Sequence, residues 1–506
     1  MLTLYCNGRV MTPAAPGASA LLVDADGRVA WVGADPGEVR RPGVAEVDLA
    51  GAFVAPAFVD AHVHATSAGL ALTGLDLRAA GSLAEALTAI ETAARAGRGR
   101  PLLGGGWDET DWPERRPPTA AELDRASYGG VVYLARIDVH SALVSSALLA
   151  AVPGVRELPG FDPSGWVRGP AHDGVRGAAQ SAISSGQRQA AQRAALHRAA
   201  ELGIACVHEM AGPVISSSED LRALIELSHA EPLPEVVGYW AELFGIEAAR
   251  DLGAVGAAGD LFCDGSLGSH TAALGAPYTD RPETTGSLRF TTADVAEHIV
   301  RCTEAGLQAG FHAIGDAAVD QVLDAVDAAS EKLGRPVGAG HRIEHAEFVR
   351  EPERLARSGL LASLQPCFDA AWGGRDGMYA RRLGPDRAAR LNRFAELVAA
   401  GVALAFGSDA PVTELGPWAA VRAAVHPSDP AAGLPAEAAF AAHTAGGWRA
   451  AGRNDPARLV PGAQATFAIW TTDRTSLLDL GRDGPLPACR ATVLRGRPIF
   501  DAGVLG

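Results

Sequence analysis

The sequence has no Cys-x-x-Cys pair: Cys6, Cys206, Cys263, Cys302, Cys367 and Cys489 are scattered singly. That spacing excludes a thiolate zinc knuckle and offers no disulfide framework, so a reducing, cytoplasmic setting is expected. No run of 18 apolar residues occurs. Residues 1–10 (MLTLYCNGRV) also lack the basic start and apolar core of a signal peptide, which argues against both a membrane span and a secretory leader. Basic side chains are in deficit: 44 Lys and Arg against 59 Asp and Glu give a formal charge of −15, which makes nucleic acid and anionic membrane poor partners. Only 20% of residues are charged while 48% are hydrophobic, a balance that excludes a disordered chain and can fill a large core. Lysine is very scarce and alanine abundant, so alanine periodicity carries no weight in placing helices.

What is present divides into ends and middle. Residues 1–54 and 458–506 are short apolar runs broken by turn formers such as Asp26-Gly27 and Arg495-Gly496. They predict one small β-sandwich domain built from both chain ends. Over 55–457, short apolar runs alternate with helical stretches, the pattern of a parallel α/β fold. Eight runs end in polar residues: 55–64, 203–210, 233–240, 260–265, 307–316, 341–346, 360–366 and 402–409. A (β/α)₈ TIM barrel needs eight parallel strands and carries its chemistry at their carboxyl ends. Two further strand-like runs, PLLGGGW (101–107) and GVVYLAR (130–136), place an insertion over 66–185, after the first barrel strand and across the barrel mouth.

His62-Val63-His64 closes the first of these strands. Residues two apart on a strand share a face, so both imidazoles can reach one metal ion. Alone the motif is weak. Its company strengthens it, because His312, His345 and Asp409 end the fifth, sixth and eighth strands and barrel closure gathers those ends around one mouth. HRIEH (341–345) also fits the His-x-x-Glu-His of inverted zinc peptidases, but that chemistry needs a helix. Here Gly338-Ala339-Gly340 precedes the segment and the next helix begins near Glu351, so a strand is expected.

PAFVDAHVH, FHAIGD, RIEHA and GSDAP, in this order, resemble the amidohydrolase superfamily, and specifically its YtcJ-like, amidohydrolase-3 type, which includes N-substituted formamide deformylases. GGGWDETDW (104–112), ARIDVHSALVSSALL (135–149), DGSLGSHTAAL (264–274) and RIEHAEF…ASLQP (342–366) extend the resemblance over about residues 50–470. It implies a metal-dependent hydrolase on a barrel, with His62, His64, His312 and His345 as metal ligands. Asp409 would touch the metal and act as proton shuttle, and His345 or His312, if not a ligand, would polarise a carbonyl. Neutral imidazoles leave the charge of a Zn²⁺, Fe²⁺ or Mn²⁺ ion uncancelled, so it can bring a water pKa from about 16 toward 7. The family commonly carries, four residues before the Asp-Gly of the fourth strand, a lysine whose carbamylated form bridges two metals; this chain has Asp260 there. The shorter side chain points to one metal per chain, with Asp260 either a lone ligand or a strand-start carboxylate paired with a basic group.

Candidate substrate contacts are Trp107, Asp108, Asp138 and His140 in the insertion, together with Asp264. His270 is another, at a position usually Arg in relatives, and Ser145 replaces a usual Asn. A tryptophan in an apolar run serves packing more often than recognition. His208 either faces the pocket or is a satisfied strand-end histidine; His172, His197, His229, His298, His426 and His443 read as surface or structural, and Cys263 as packed behind the barrel wall. The expected function is hydrolysis of a non-peptide C–N bond, an amide or N-formyl group, in a small-molecule substrate. A mononuclear deaminase of an aminated ring and a catalytically silent barrel that binds or assembles are the alternatives. A homo-oligomer is compatible with the apolar barrel helices.

Overall fold

The computed structural model describes residues 2–453 and 458–505. Eight strands pair side by side in chain order: β1 (Phe58–Val63), β2 (Ile204–Ala211), β3 (Glu235–Trp240), β4 (Gly256–Ala257), β5 (Gln308–Ala313), β6 (Arg342–His345), β7 (Leu361–Leu364) and β8 (Ala403–Phe406). Every neighbouring pair is parallel. The seam between β8 and β1 is held just past the strand ends, where Asp409 N donates to His62 O at 2.8 Å and His64 N donates to Ala410 O at 3.0 Å. The result is a nearly closed barrel. β1 and β2 are buried at every position, as strands covered on both faces must be, which is why they read as nearly unbroken apolar runs.

Outer helices have legible ends. The helix Thr292–Ala305 opens with a capping box between Thr291 and Asp294 and stops at Gly306, whose φ of 69° suits a residue without a Cβ. Asp316–Leu333 stops in the same way at Gly334. Their apolar faces, through Val295, Ile299, Val319, Val322 and Val326, join the main core around the barrel.

Two small sheets involve the chain ends. One contains Leu2–Cys6, Ala20–Val23, Val29–Gly33 and Val44–Asp48; the other contains Arg9–Val10, Phe53–Pro56, Phe467–Thr471, Ala488–Leu494 and Arg497–Asp501. They share a core in which Tyr5, Leu21 and Val29 meet Val54, Phe467, Ile469 and Val493. The boundary expected at 457/458 borders residues 454–457, outside the described residues. A further sheet, Leu75–Asp76, Leu102–Trp107, Val132–Arg136, Ser141–Val144 and Trp166–Arg168, lies between β1 and β2 in the chain.

Two expectations from sequence meet a definite structure. The fourth barrel strand, expected over 260–265, is regular only at Gly256–Ala257, because Gly259 takes a φ of +97° and breaks the extended run. Beyond it the chain touches β5 through a single bridge, Phe262 to His312. Asp260 therefore stands past the carboxyl end of β4 and is not a strand-start residue. Residues 342–345 are strand β6 and the next helix is Pro352–Ser358, which removes the peptidase reading of HRIEH. Among the described residues, no helix is long and apolar enough to cross a membrane.

Candidate metal centre

Six side chains from five strand ends converge at the barrel mouth, all at most 7% exposed: His62, His64, Asp260, His312, His345 and Asp409. Asp260 stands in the middle. Its Oδ2 lies 3.1 Å from His64 Nε2 and 3.5 Å from His62 Nε2, while its Oδ1 lies 3.3 Å from both His312 Nδ1 and His345 Nε2. Asp409 Oδ1 approaches the first pair alone, at 3.2 Å from His64 Nε2 and 3.6 Å from His62 Nε2. Donors around one tetrahedral zinc, each about 2.0–2.1 Å from it, stand about 3.3 Å apart. The observed separations are of that size.

Each imidazole is held by its other nitrogen. His62 Nδ1 meets Glu344 Oε2 at 3.0 Å, His64 Nδ1 the carbonyl of Met210 at 3.0 Å, His312 Nε2 the carbonyl of Gly265 at 3.1 Å, and His345 Nδ1 Gln365 Oε1 at 2.8 Å. Four acceptors thus orient four rings, and the remaining nitrogen is in every case the one facing Asp260. His62 Nε2 and Asp409 Oδ1 are buried without a hydrogen-bond partner among the described residues. Such atoms are costly unless a cation or donor satisfies them, so the donor set fits a divalent ion.

The backbone is bent to make this arrangement. His345, Ala346 and Asp409 have φ of 68°, 41° and 54°, left-handed values that cost non-glycine residues on the order of 1–3 kcal/mol each. The turn at His345 ends β6 and sets its ring 4.4 Å from that of His312 and 4.8 Å from that of His62, centroid to centroid.

Burial opposes charge on His62, His64, Asp260 and His345, and the fields of their neighbours override it. Asp260 is held well below the usual carboxylate range by the surrounding histidines. His64, which burial alone would depress, is lifted to about 10 by Asp260 and Asp409. Behind His62, Arg342 donates through Nη2 to Glu344 Oε2 at 2.9 Å and to the carbonyl of Ala61 at 2.7 Å. Although burial pushes the other way, Arg342 and His62 bring the Glu344 carboxyl down to about 2.

The amidohydrolase family profile matches residues 45–500. The chain belongs to the amidohydrolase family. Among amidohydrolase relatives, the protein YtcJ of Bacillus subtilis (strain 168) is 30% identical over 417 residues, 76% of this chain and 75% of that protein. An N-substituted formamide deformylase of Arthrobacter pascens is 24% identical over 525 residues, covering 94% and 93%. The crystal structure of an uncharacterized metal-dependent hydrolase from Pyrococcus furiosus superposes with a TM-score of 0.74 at 30% identity, over 94% of this chain and 99% of that one.

In this amidohydrolase a cavity of about 770 Å³ opens from the cluster and is walled by β-strand ends together with Leu103, Tyr133, Arg136 and His140 of the inserted segment. His140 packs its ring against His312 and Phe262, and burial, with His312, Arg289 and Arg176 nearby, holds its imidazole well below the ordinary histidine range. The other candidate contacts are not part of this cavity's lining. Trp107 is fully buried, donates to the carbonyl of Leu134 at 2.8 Å and packs edge-on to Trp166. Asp264 accepts three backbone N–H groups, from Ala273, Ile314 and Gly315, and so ties down the loop after β5. His270 sits 3.1 Å from Asp280 and edge-on to Tyr278, outside the lining of either cavity described for the site. Asp138 anchors Arg136, Ser266 and Ser269, and Ser145 caps the helix Ser146–Ala150. His208 meets Arg342 Nη1 at 3.2 Å.

Sequence reasoning passed over Glu344, Arg342, Gln365, Glu209 and Glu347. The signal was available in β6, where two charged residues alternate with Ile343 and His345 in a wholly buried strand. Glu209 lines the large cavity and accepts from Ala65 N at 2.7 Å; burial pushes both it and Glu347 up to about 7. Glu344→Gln is expected to weaken metal affinity about 10–100-fold, because the amide neither orients nor enriches the His62 imidazole as the carboxylate does. Competition with a chromophoric chelator measures this, and unchanged affinity would show that Glu344 serves the fold alone.

Proposed function

We propose that this amidohydrolase is a metal-dependent enzyme that cleaves a non-peptide carbon–nitrogen bond, an amide or N-formyl group, of a small molecule. The observation that carries the reading is the set of four buried histidines, each fixed through one nitrogen with the other turned on the Asp260 and Asp409 carboxylates. A silent barrel has no use for so costly a constellation. The deformylase relative supports the class of bond, and a cavity of about 770 Å³ suits a drug-sized substrate.

Asp260 divides the donors into two groups. His62 and His64, which also meet Asp409 Oδ1, share its Oδ2, and His312 and His345 share its Oδ1. We therefore favour room for two cations over the single ion suggested by the missing lysine, with His62, His64, Asp260, His312, His345 and Asp409 as the residues that would hold them. Bound zinc, iron or manganese would acidify water and polarise a carbonyl there. The chain's own part is positional and protonic. Glu344, Gln365 and the carbonyls of Met210 and Gly265 hold the rings, the inserted segment keeps bulk water off the mouth, and Asp409 takes a proton from the attacking water and returns it to the leaving nitrogen.

Elemental analysis of protein purified without added metal should find about two ions per chain, and hydrolysis of simple amides and N-formyl amines should vanish with a chelator and return on metal addition. About one ion would make Asp260 the ligand of a single cation. No metal, none regained on dialysis against zinc, and no hydrolysis of any amide would overturn the assignment.

A further inference from the structure

The donor cluster separates two spaces of very different size. His140, His312, His345 and Asp409 line both the cavity of about 770 Å³ and a second chamber of about 30 Å³. A cavity needs roughly 10–15 Å³ on this scale to hold one water, so the small chamber has room for a group of one or two heavy atoms and none for a ring or alkyl chain.

Its chemistry is specific. Phe368, Trp372 and Tyr379 form an aromatic wall, with ring centroids 5.0 Å apart for Phe368–Trp372 and 6.3 Å for Trp372–Tyr379. Glu347 and Asp409 supply carboxylates, the Asp138 carboxylate being paired with Arg136, and no Lys or Arg among the described residues is part of the lining. Glu347 is only 5% exposed; its Oε2 and the Tyr379 hydroxyl, which interact with each other, have no further hydrogen-bond partner among the described residues. An arriving N–H donor adds a hydrogen bond to the buried Glu347 oxygen, which a C–H or methyl group does not. Aromatic faces beside carboxylates likewise favour a group bearing partial or full positive charge.

We propose that the small chamber receives the leaving nitrogen as an unsubstituted amino group, so that the substrates are primary amides whose acyl part fills the large cavity. This rests on the reading of the site as a C–N hydrolase. Water's oxygen bonds to the carbonyl carbon, the C–N bond breaks, and one water proton ends on nitrogen through Asp409, so that amide and water give a carboxylic acid and ammonia. The opposite orientation puts a formyl hydrogen in the chamber and a substituted nitrogen in the large cavity, and offers Glu347 Oε2 no donor from the substrate.

The test uses the metal-replete full chain and a panel of primary amides with alkyl and aryl acyl groups, each beside its N-methyl derivative and the isomeric N-formyl amine. Released ammonia, amine and acid are quantified. Primary amides should exceed their N-methyl derivatives in kcat/KM by about 100-fold, the discrimination a tight pocket gives against one carbon. Trp372→Ala should narrow that ratio at least about tenfold by admitting the methyl group, and Met378→Ala on the same wall serves if the first variant does not fold. Equal rates for primary and N-methyl amides would overturn the proposal, as would a preference for N-formyl amines, which would assign the chamber to the acyl side while leaving C–N hydrolysis standing. No turnover of any panel member would remove the broader reading together with this one.

Discussion

Asp409→Asn is expected to lower kcat by about 10²–10⁴-fold while the protein keeps its fold and most of its metal. The reasoning is geometric. Asp409 is a carboxylate whose Oδ1 lies 3.2 and 3.6 Å from the donor nitrogens of His64 and His62 and has no hydrogen-bond partner of its own. The Asn amide keeps the size and one oxygen, so it can still lie against the cation, but it cannot accept a proton from water or deliver one to nitrogen. Its position does not depend on its charge, since it is fixed by the backbone bond from Asp409 N to the carbonyl of His62. Steady-state kinetics with metal content measured on the same sample checks this. Near-normal turnover in the metal-loaded variant would remove Asp409 as the shuttle.

His62→Ala combined with His64→Ala should yield metal-poor protein and abolish hydrolysis. His62 belongs to both donor groups of the cluster, with His64 and Asp409 and with Asp260 and His345, so the pair removes ligands from each. The double variant also strands Glu344 Oε2, which loses its His62 partner, a cost of about 1–3 kcal/mol that Arg342 partly offsets by its own hydrogen bonds to the same carboxylate. Circular dichroism and a thermal melt separate this modest destabilisation from metal loss. Unchanged metal content in a folded double variant would place the ions elsewhere.

Much of the site was readable before any coordinates. His-x-His at the end of one strand, with His312, His345 and Asp409 ending others, requires only that strands alternate faces and that a barrel gathers its carboxyl ends. Asp260 was legible as a residue type and was misplaced as a position. The short side chain suggested a carboxylate too far from the centre to serve two ions. Gly259 at φ +97° ends β4 early and lifts Asp260 onto the mouth, where its two oxygens divide the histidines between them. His270 and Trp107 looked like substrate contacts because they fall in motif stretches, yet Asp280 and Trp166 are their neighbours in space.

By itself, the sequence determined seven of the eight strands, the identity of the donor residues and the apolar faces that wrap them, because burial and strand periodicity are local properties of the chain. Tertiary structure alone decided which nitrogen of each histidine is free, where Asp260 stands, and that the cluster parts a large cavity from a small one. Those features depend on residues as far apart as His62 and Glu344, and on left-handed turns at His345 and Asp409. Their distances are set by barrel closure and backbone bends that no periodicity records.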